Sequence, residues 1–195
     1  NNVDSIVLKK IDNKIVIQMS IIRGGCSYGS KAYFPDIGKN GSDVNEDEVM
    51  QAFICQFYDK NAPAENILLN QFPKDKVLIE ELLYKKHQIK VKIELPKKGK
   101  KLDIINSALK NAEENLNRKI FERSSNRNNL KKLKEVFGFK NLLNKIEIYD
   151  NSHHHGKSPI GAMVVFNEEG FSKSLYRRYN IEIEYNKNNN SFSNE

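Results

Sequence analysis

Short β-branched runs open the chain. Ser5–Ile11 (SIVLKKI) and Lys14–Ile22 (KIVIQMSII) are separated only by Asp12-Asn13, which predicts two antiparallel strands joined by a tight turn. Arg23-Gly24-Gly25 makes the next break, and Ser27–Phe34 reads as a third strand closed by Pro35, Asp36 and Gly38. The period then changes. Glu46–Tyr58 places Val49, Ala52, Phe53 and Phe57 on one side at helical spacing. Asn66–Leu69 (NILL) is a short apolar strand of the kind buried on both faces. Asp75–His87 reads as a second helix with Val77, Leu78, Leu82 and Leu83 inward, and Ile89–Leu95 alternates as a strand.

The order β-β-β-α-β-α-β, a three-strand meander followed by two crossover units, is that of a ribonuclease H-like α/β domain. It predicts such a domain over 1–95, able to fold alone. That fold holds its metal-binding carboxylates on the first and fourth strands. SIVLKKI and NILL contain no acid, so the domain is expected to lack catalytic acids. Pro96–Lys101 (PKKGKK) reads as a linker. Leu102–Arg123 reads as a long helix with Ile105, Leu109, Ala112, Leu116 and Ile120 on one face, and a polar break at Ser124–Asn129 separates it from a short helix, Leu130–Phe137. Together 96–144 form a basic helical connector. Strands at Lys145–Tyr149, Ile160–Asn167 and Lys173–Ile183 begin a second, incomplete ribonuclease H-like meander over 145–185. Its apolar row, Ile146, Ile148, Met163 and Val165, has only the connector to pack against. The polar run 186–195 reads as a disordered tail.

Composition adds a charge argument. The chain has 195 residues, 32 Lys+Arg and 25 Asp+Glu, a net charge of +7. That surplus suits a polyanionic partner, although solubility alone accounts for it equally well. From Lys97 through Lys145 there are 14 Lys/Arg and 5 Asp/Glu, so the excess sits in the connector. Lys131, Lys132 and Lys134 are its densest cluster, but their spacing spreads them around a helix. Cys26 and Cys55 form no CxxC and read as free thiols of a reducing compartment, the cytoplasm. No apolar run approaches the ~20 residues of a membrane span, so no membrane partner is expected.

Asp150 carries the clearest chemical signal. It follows Ile146 and Ile148 on one face of a strand, where an acid is costly unless a divalent cation or a capping hydrogen bond, to Ser152 or the loop backbone, satisfies it. His153, His154 and His155 follow almost at once. Adjacent residues do not converge on one centre, and a zinc site needs about four spaced ligands, so zinc is set aside. GGCSYGSK has the glycines of a phosphate loop but neither its GK[ST] ending nor a following helix.

Several stretches in register, "IEIYDNSH", "GAMVVFNEEGF" and "YRRYNI", with "IIRGG…YGSKAYFP" and "AFICQFYDKNAPAENILL" upstream, resemble the UvrC family of bacterial excinucleases, in its middle region and the start of its endonuclease domain. The likeness is greatest to the alphaproteobacterial branch of that family. The resemblance implies an incision subunit of bacterial nucleotide excision repair that cuts DNA 5′ to a lesion. It implies Mg2+ or Mn2+ held by three aspartates and a histidine, the cations carrying the attacking water and the leaving oxygen. It also implies damaged DNA and a UvrB–DNA complex as partners. Asp150 matches the first aspartate, and Ser152 and His153 match the family's SH pair. Tyr176, Arg177 and Arg178 match a basic strand suited to the DNA backbone. The family's two other aspartates lie in motifs for which this chain reads "EIEYNKNNNSFSNE". One of three catalytic aspartates is therefore expected here, with no tightly bound metal and no UvrB-binding hairpin. A remnant that binds DNA without cutting it is the competing expectation.

Overall fold

Asp12 takes a left-handed backbone conformation (φ 51°), which aspartate tolerates, and turns the first strand back on the second. A computed structural model of the protein describes residues 2–36, 44–154 and 157–181. In it β1 (Val3–Ile11) pairs antiparallel with β2 (Lys14–Arg23), and β2 with β3 (Cys26–Tyr33). After α1 (Glu46–Lys60), β4 (Asn66–Leu69) lies parallel to β1; after α2 (Lys76–His87), β5 (Lys92–Glu94) lies parallel to β4. The five-stranded mixed sheet has the order β3-β2-β1-β4-β5, and the α/β class is the one the periodicity predicts.

One sheet face carries Ile6, Leu8, Ile15, Ile17, Met19, Ile67, Leu69 and Ile93, packed with Met50, Ile54 and Tyr58 of α1 and Ile79 and Leu83 of α2. Both helices are rotated from the faces expected of them. On α1, Ala52 is exposed, while Val49, Phe53 and Phe57 flank the core, Phe53 and Phe57 edge-on to Tyr33. On α2, Val77, Leu78 and Leu82 are exposed and only the narrow Ile79–Leu83 stripe is buried. Polar contacts set that rotation. The Asp75 carboxylate accepts from the Leu78 amide at the helix start, and Glu80 accepts from the Ile93 amide of β5 at 2.7 Å.

The other sheet face, with Val7, Val16 and Leu68 fully buried, is covered by α3 (Gly99–Phe137), whose Ile105, Ala108, Ala112 and Leu116 are buried. Asn115 donates to Gln18 there at 2.9 Å. Residues 1–119 therefore form one compact unit and 120–195 a second. The expected connector is divided between them, and a fragment ending at 95 would leave this second face bare. The expected break at Ser124–Asn129 is helical. No glycine or proline occurs between Lys100 and Phe137, and serine and asparagine cost only a few tenths of a kcal/mol each in a helix. The helix stops at Gly138 (φ 66°), where the Phe139 amide reaches back to the Lys134 carbonyl and the Gly138 amide to that of Glu135.

Close to the start of α3, Glu94 accepts from Lys101 at 2.6 Å and from Lys92 at 2.8 Å. These bonds, Lys101 first, hold its carboxyl below the usual range. A carboxyl lowered by folding adds stability above its unfolded pKa and loses it as pH falls through the folded value. Urea unfolding of Glu94→Gln is expected to show a smaller fall in midpoint between neutral pH and the acid limb than the unaltered chain.

In the second unit β6 (Lys145–His154) pairs antiparallel with β7 (Lys157–Asn167), which also pairs with β8 (Gly170–Phe171) and with β9 (Arg177–Asn180). In the region expected to be one strand, Lys173–Ile183, a single 3-10 turn at Lys173–Leu175 precedes β9, and 182–183 lie outside the described residues. The expected tail, 186–195, lies outside the described residues.

Candidate nucleic-acid interface and carboxylate site

Register decides which side chains of the second unit share a face, because residues paired across antiparallel strands point the same way. Ile148 pairs with Val164 and Tyr149 with Met163. The row expected from sequence is thus split. Met163 and Val165 lie on one face and are buried, while Ile146 and Ile148 lie on the other, with Ile148 49% exposed. Leu130 of α3 is also buried. Arg123 forms ion pairs with Glu168 and Glu169, and Asn126 donates to the Glu168 carbonyl, which ties α3 to the β7–β8 turn.

Asp150 belongs to the uncovered face. It sits inside β6 rather than at its end, because the ladder continues through Asp150–Ala162, Asn151–Gly161 and Ser152–Ile160. Its carboxylate is exposed, and no described residue makes a hydrogen bond or ion pair with it. The desolvation expected of an acid on an apolar row is therefore absent. Ser152 is exposed two positions along the same face. His153 lies in β6, with its side chain outside the described residues, as are those of His154 and His155. One carboxylate and one hydroxyl do not make a divalent-cation site, since a hard cation takes six or more oxygens. Among the described residues no group of three or more His, Cys, Asp or Glu could hold a metal ion.

The basic residues fall in different places. Arg178 pairs with Ala162, which pairs with Asp150, so it shares the uncovered face. Arg177 pairs with Met163 on the opposite face, and its guanidinium donates to the Ser174 and Tyr176 carbonyls. Tyr176 is half-buried just before β9. On α3, Lys131 and Lys134 fall on one flank, and Lys132 turns to the far side at 100° per residue. Arg127, four residues before Lys131, completes the flank at i, i+4, i+7. The run KKLK groups three lysines by adjacency, whereas helical spacing groups Arg127 with Lys131 and Lys134.

The first unit holds the other residue that sequence reasoning missed. β1 begins at Val3 and so contains an acid, Asp4, which corrects the acid-free first strand expected. The strand starts early because Val3 and Asp4 pair with Ile22 and Ile21 on β2 and with Asn66 and Ile67 on β4. Asp4 is 1% exposed and accepts from Arg23 Nη1 at 2.6 Å, the Tyr58 hydroxyl at 2.8 Å and the Ala64 amide at 3.0 Å. Burial, and then the Asp4 charge, push the Tyr58 phenol well above its ordinary value. Three donors satisfy Asp4 within the protein. β4 contains no acid, as expected.

A mixed sheet in the order 3-2-1-4-5 with helices on both faces, followed by a second antiparallel meander, has the arrangement of a ribonuclease H-like α/β protein. Residues 2–119 match the family described as UvrC Ribonuclease H-like domain, and residues 134–194 match that described as UvrC RNAse H endonuclease domain. The chain belongs to the UvrC ribonuclease H-like family. It is similar to UvrABC system protein C of Hyphomonas neptunium (38% identical over 85% of this chain and 26% of the relative), of Paramagnetospirillum magneticum (35%, 91% and 28%) and of Gluconobacter oxydans (38%, 93% and 28%). The alphaproteobacterial likeness holds. The chain spans about a quarter of the length of these relatives. Among the described residues no helix is long and apolar enough to cross a membrane.

Proposed function

We propose that the chain is a segment of the incision subunit of bacterial nucleotide excision repair, acting on damaged DNA in the cytoplasm alongside a UvrB–DNA complex. Residues 1–95 with the first part of α3 are its ribonuclease H-like domain without a catalytic site, and 145–185 are the start of its endonuclease domain. The observation that carries this reading is the succession of the two family matches, 2–119 then 134–194, with Asp150 exposed on the second and bonded to no described residue. Asp150 would supply one carboxylate to a Mg2+ or Mn2+ set, supported by Ser152 and His153; among the described residues no further ligand joins them. Tyr176, Arg177, Arg178, Lys131, Lys132 and Lys134 form the basic surroundings of the DNA. The lone carboxylate also favours a second reading, a remnant that binds DNA without cutting it.

Binding tests the DNA reading. Contacts made by Lys and Arg to phosphates release counterions, so affinity should be weak and fall steeply with salt. In fluorescence anisotropy with a labelled duplex, Lys131→Glu with Lys134→Glu is expected to weaken binding about tenfold at low salt, and Lys132→Glu clearly less. Affinity that does not change with salt would exclude this account.

A further inference from the structure

We propose that Arg178, and not its neighbour Arg177, grips the DNA phosphate presented to Asp150, and that Ala162 is the gap through which that phosphate enters. The inference rests on the DNA-binding reading above and goes beyond it by assigning one residue a place. Asp150, Ala162 and Arg178 occupy a single cross-strand row on β6, β7 and β9. Two inter-strand steps separate the outer pair by about 10 Å at Cα. The central residue carries only a methyl group and is exposed, so a shallow space lies between a carboxylate and a guanidinium. Neither group has a hydrogen bond or ion pair to a described residue.

The neighbouring rows bound this space. On one side, Ile148 and Val164 are apolar; on the other, Ser152, Ile160 and Asn180 place two polar side chains on the same face. The polar end of the face thus gathers Asp150, Ser152, Arg178 and Asn180. A phosphodiester fits this arrangement, because a guanidinium presents a planar fork of donors that matches two phosphate oxygens. Arg177 is unsuited to the task. It lies on the opposite face, and its guanidinium already donates to two backbone carbonyls. Arg178 is a positioning residue here: it holds the phosphate at the row that carries Asp150.

The test is anisotropy with a fluorescein-labelled DNA duplex and the 195-residue chain, titrated at several salt concentrations. Arg178→Gln is expected to weaken binding about fivefold and to lower the slope of log K against log salt by about one. Arg178→Lys should keep the slope and recover part of the affinity, and Arg177→Gln should weaken binding clearly less than Arg178→Gln. Ala162→Val leaves every charge in place and suits an exposed strand position, yet should weaken binding by closing the gap. Circular dichroism of each variant checks that the sheet is intact. If the unaltered chain binds with a steep salt slope while Arg178→Gln and Arg177→Gln behave alike, or Ala162→Val binds normally, the assignment of Arg178 is wrong and the DNA reading stands. If the unaltered chain does not bind DNA at all, both are wrong.

Discussion

Asp4→Ala is expected to lower the stability of the first unit by about 3–5 kcal/mol. The carboxylate is the shared acceptor of three donors. Without it the Tyr58 hydroxyl, on a residue 1% exposed, and the Ala64 amide, on one 3% exposed, lose their acceptor. Each orphaned group costs about 1–3 kcal/mol. Arg23 adds less, because its side chain is 27% exposed and can turn to water. Tyr58→Phe removes one donor and leaves two, so about 1–1.5 kcal/mol is expected there. Urea unfolding of both variants at neutral pH measures the difference. Near-equal losses would mean that the network does not centre on Asp4. An effect of this size is serious because a whole domain is stable by only about 5–15 kcal/mol.

The second large effect concerns chemistry. The purified 195-residue chain is expected not to nick supercoiled DNA in Mg2+ or Mn2+, with Asp150→Ala indistinguishable from it. A two-cation hydrolytic site must neutralise four positive charges and fill about twelve coordination positions, mostly with oxygens. Asp150 offers one carboxylate, its neighbour Ser152 one hydroxyl, and no described acid joins them. Asp4 cannot be recruited, since it is buried and already accepts from Arg23, Tyr58 and the Ala64 amide. Metal-dependent nicking that Asp150→Ala abolishes would show that the ligand set is complete in this chain, and would also remove the non-cutting remnant from consideration.

Much of the architecture was legible because it follows from short-range rules. The hairpin at Asp12-Asn13, the four-residue strand Asn66–Leu69 and the starts and stops of the first two helices depend on turn chemistry and local period. The continuous α3 is legible in principle as well: between Lys100 and Phe137 there is no glycine or proline, and the polar run Ser124–Asn129 costs a helix less than a true breaker would. Helix rotation was harder to read. Val77, Leu78 and Leu82 look like a core face by spacing, but α2 lies where only Ile79 and Leu83 reach the sheet, and the Glu80 bond to β5 holds it so.

Asp150 and the basic residues, Arg127 included once helical spacing is followed, can be picked out from sequence, and Asp4 cannot. The strand beginning at Ser5 hid Asp4, although its partner Arg23 sits at the matching end of the hairpin. The sequence by itself determined the order of elements, the class of the fold, the site of the lone carboxylate and the concentration of positive charge after residue 96. Only the tertiary structure decided that Asp4 is paired with Arg23 and hydrogen-bonded by Tyr58, that Ile148 and Met163 face opposite ways, and that Arg178 rather than Arg177 stands in Asp150's row. The reason is physical. Local preferences act over a few residues along the chain, whereas register and burial are set between strands distant in sequence, and a shift of one residue in register moves every side chain to the other face.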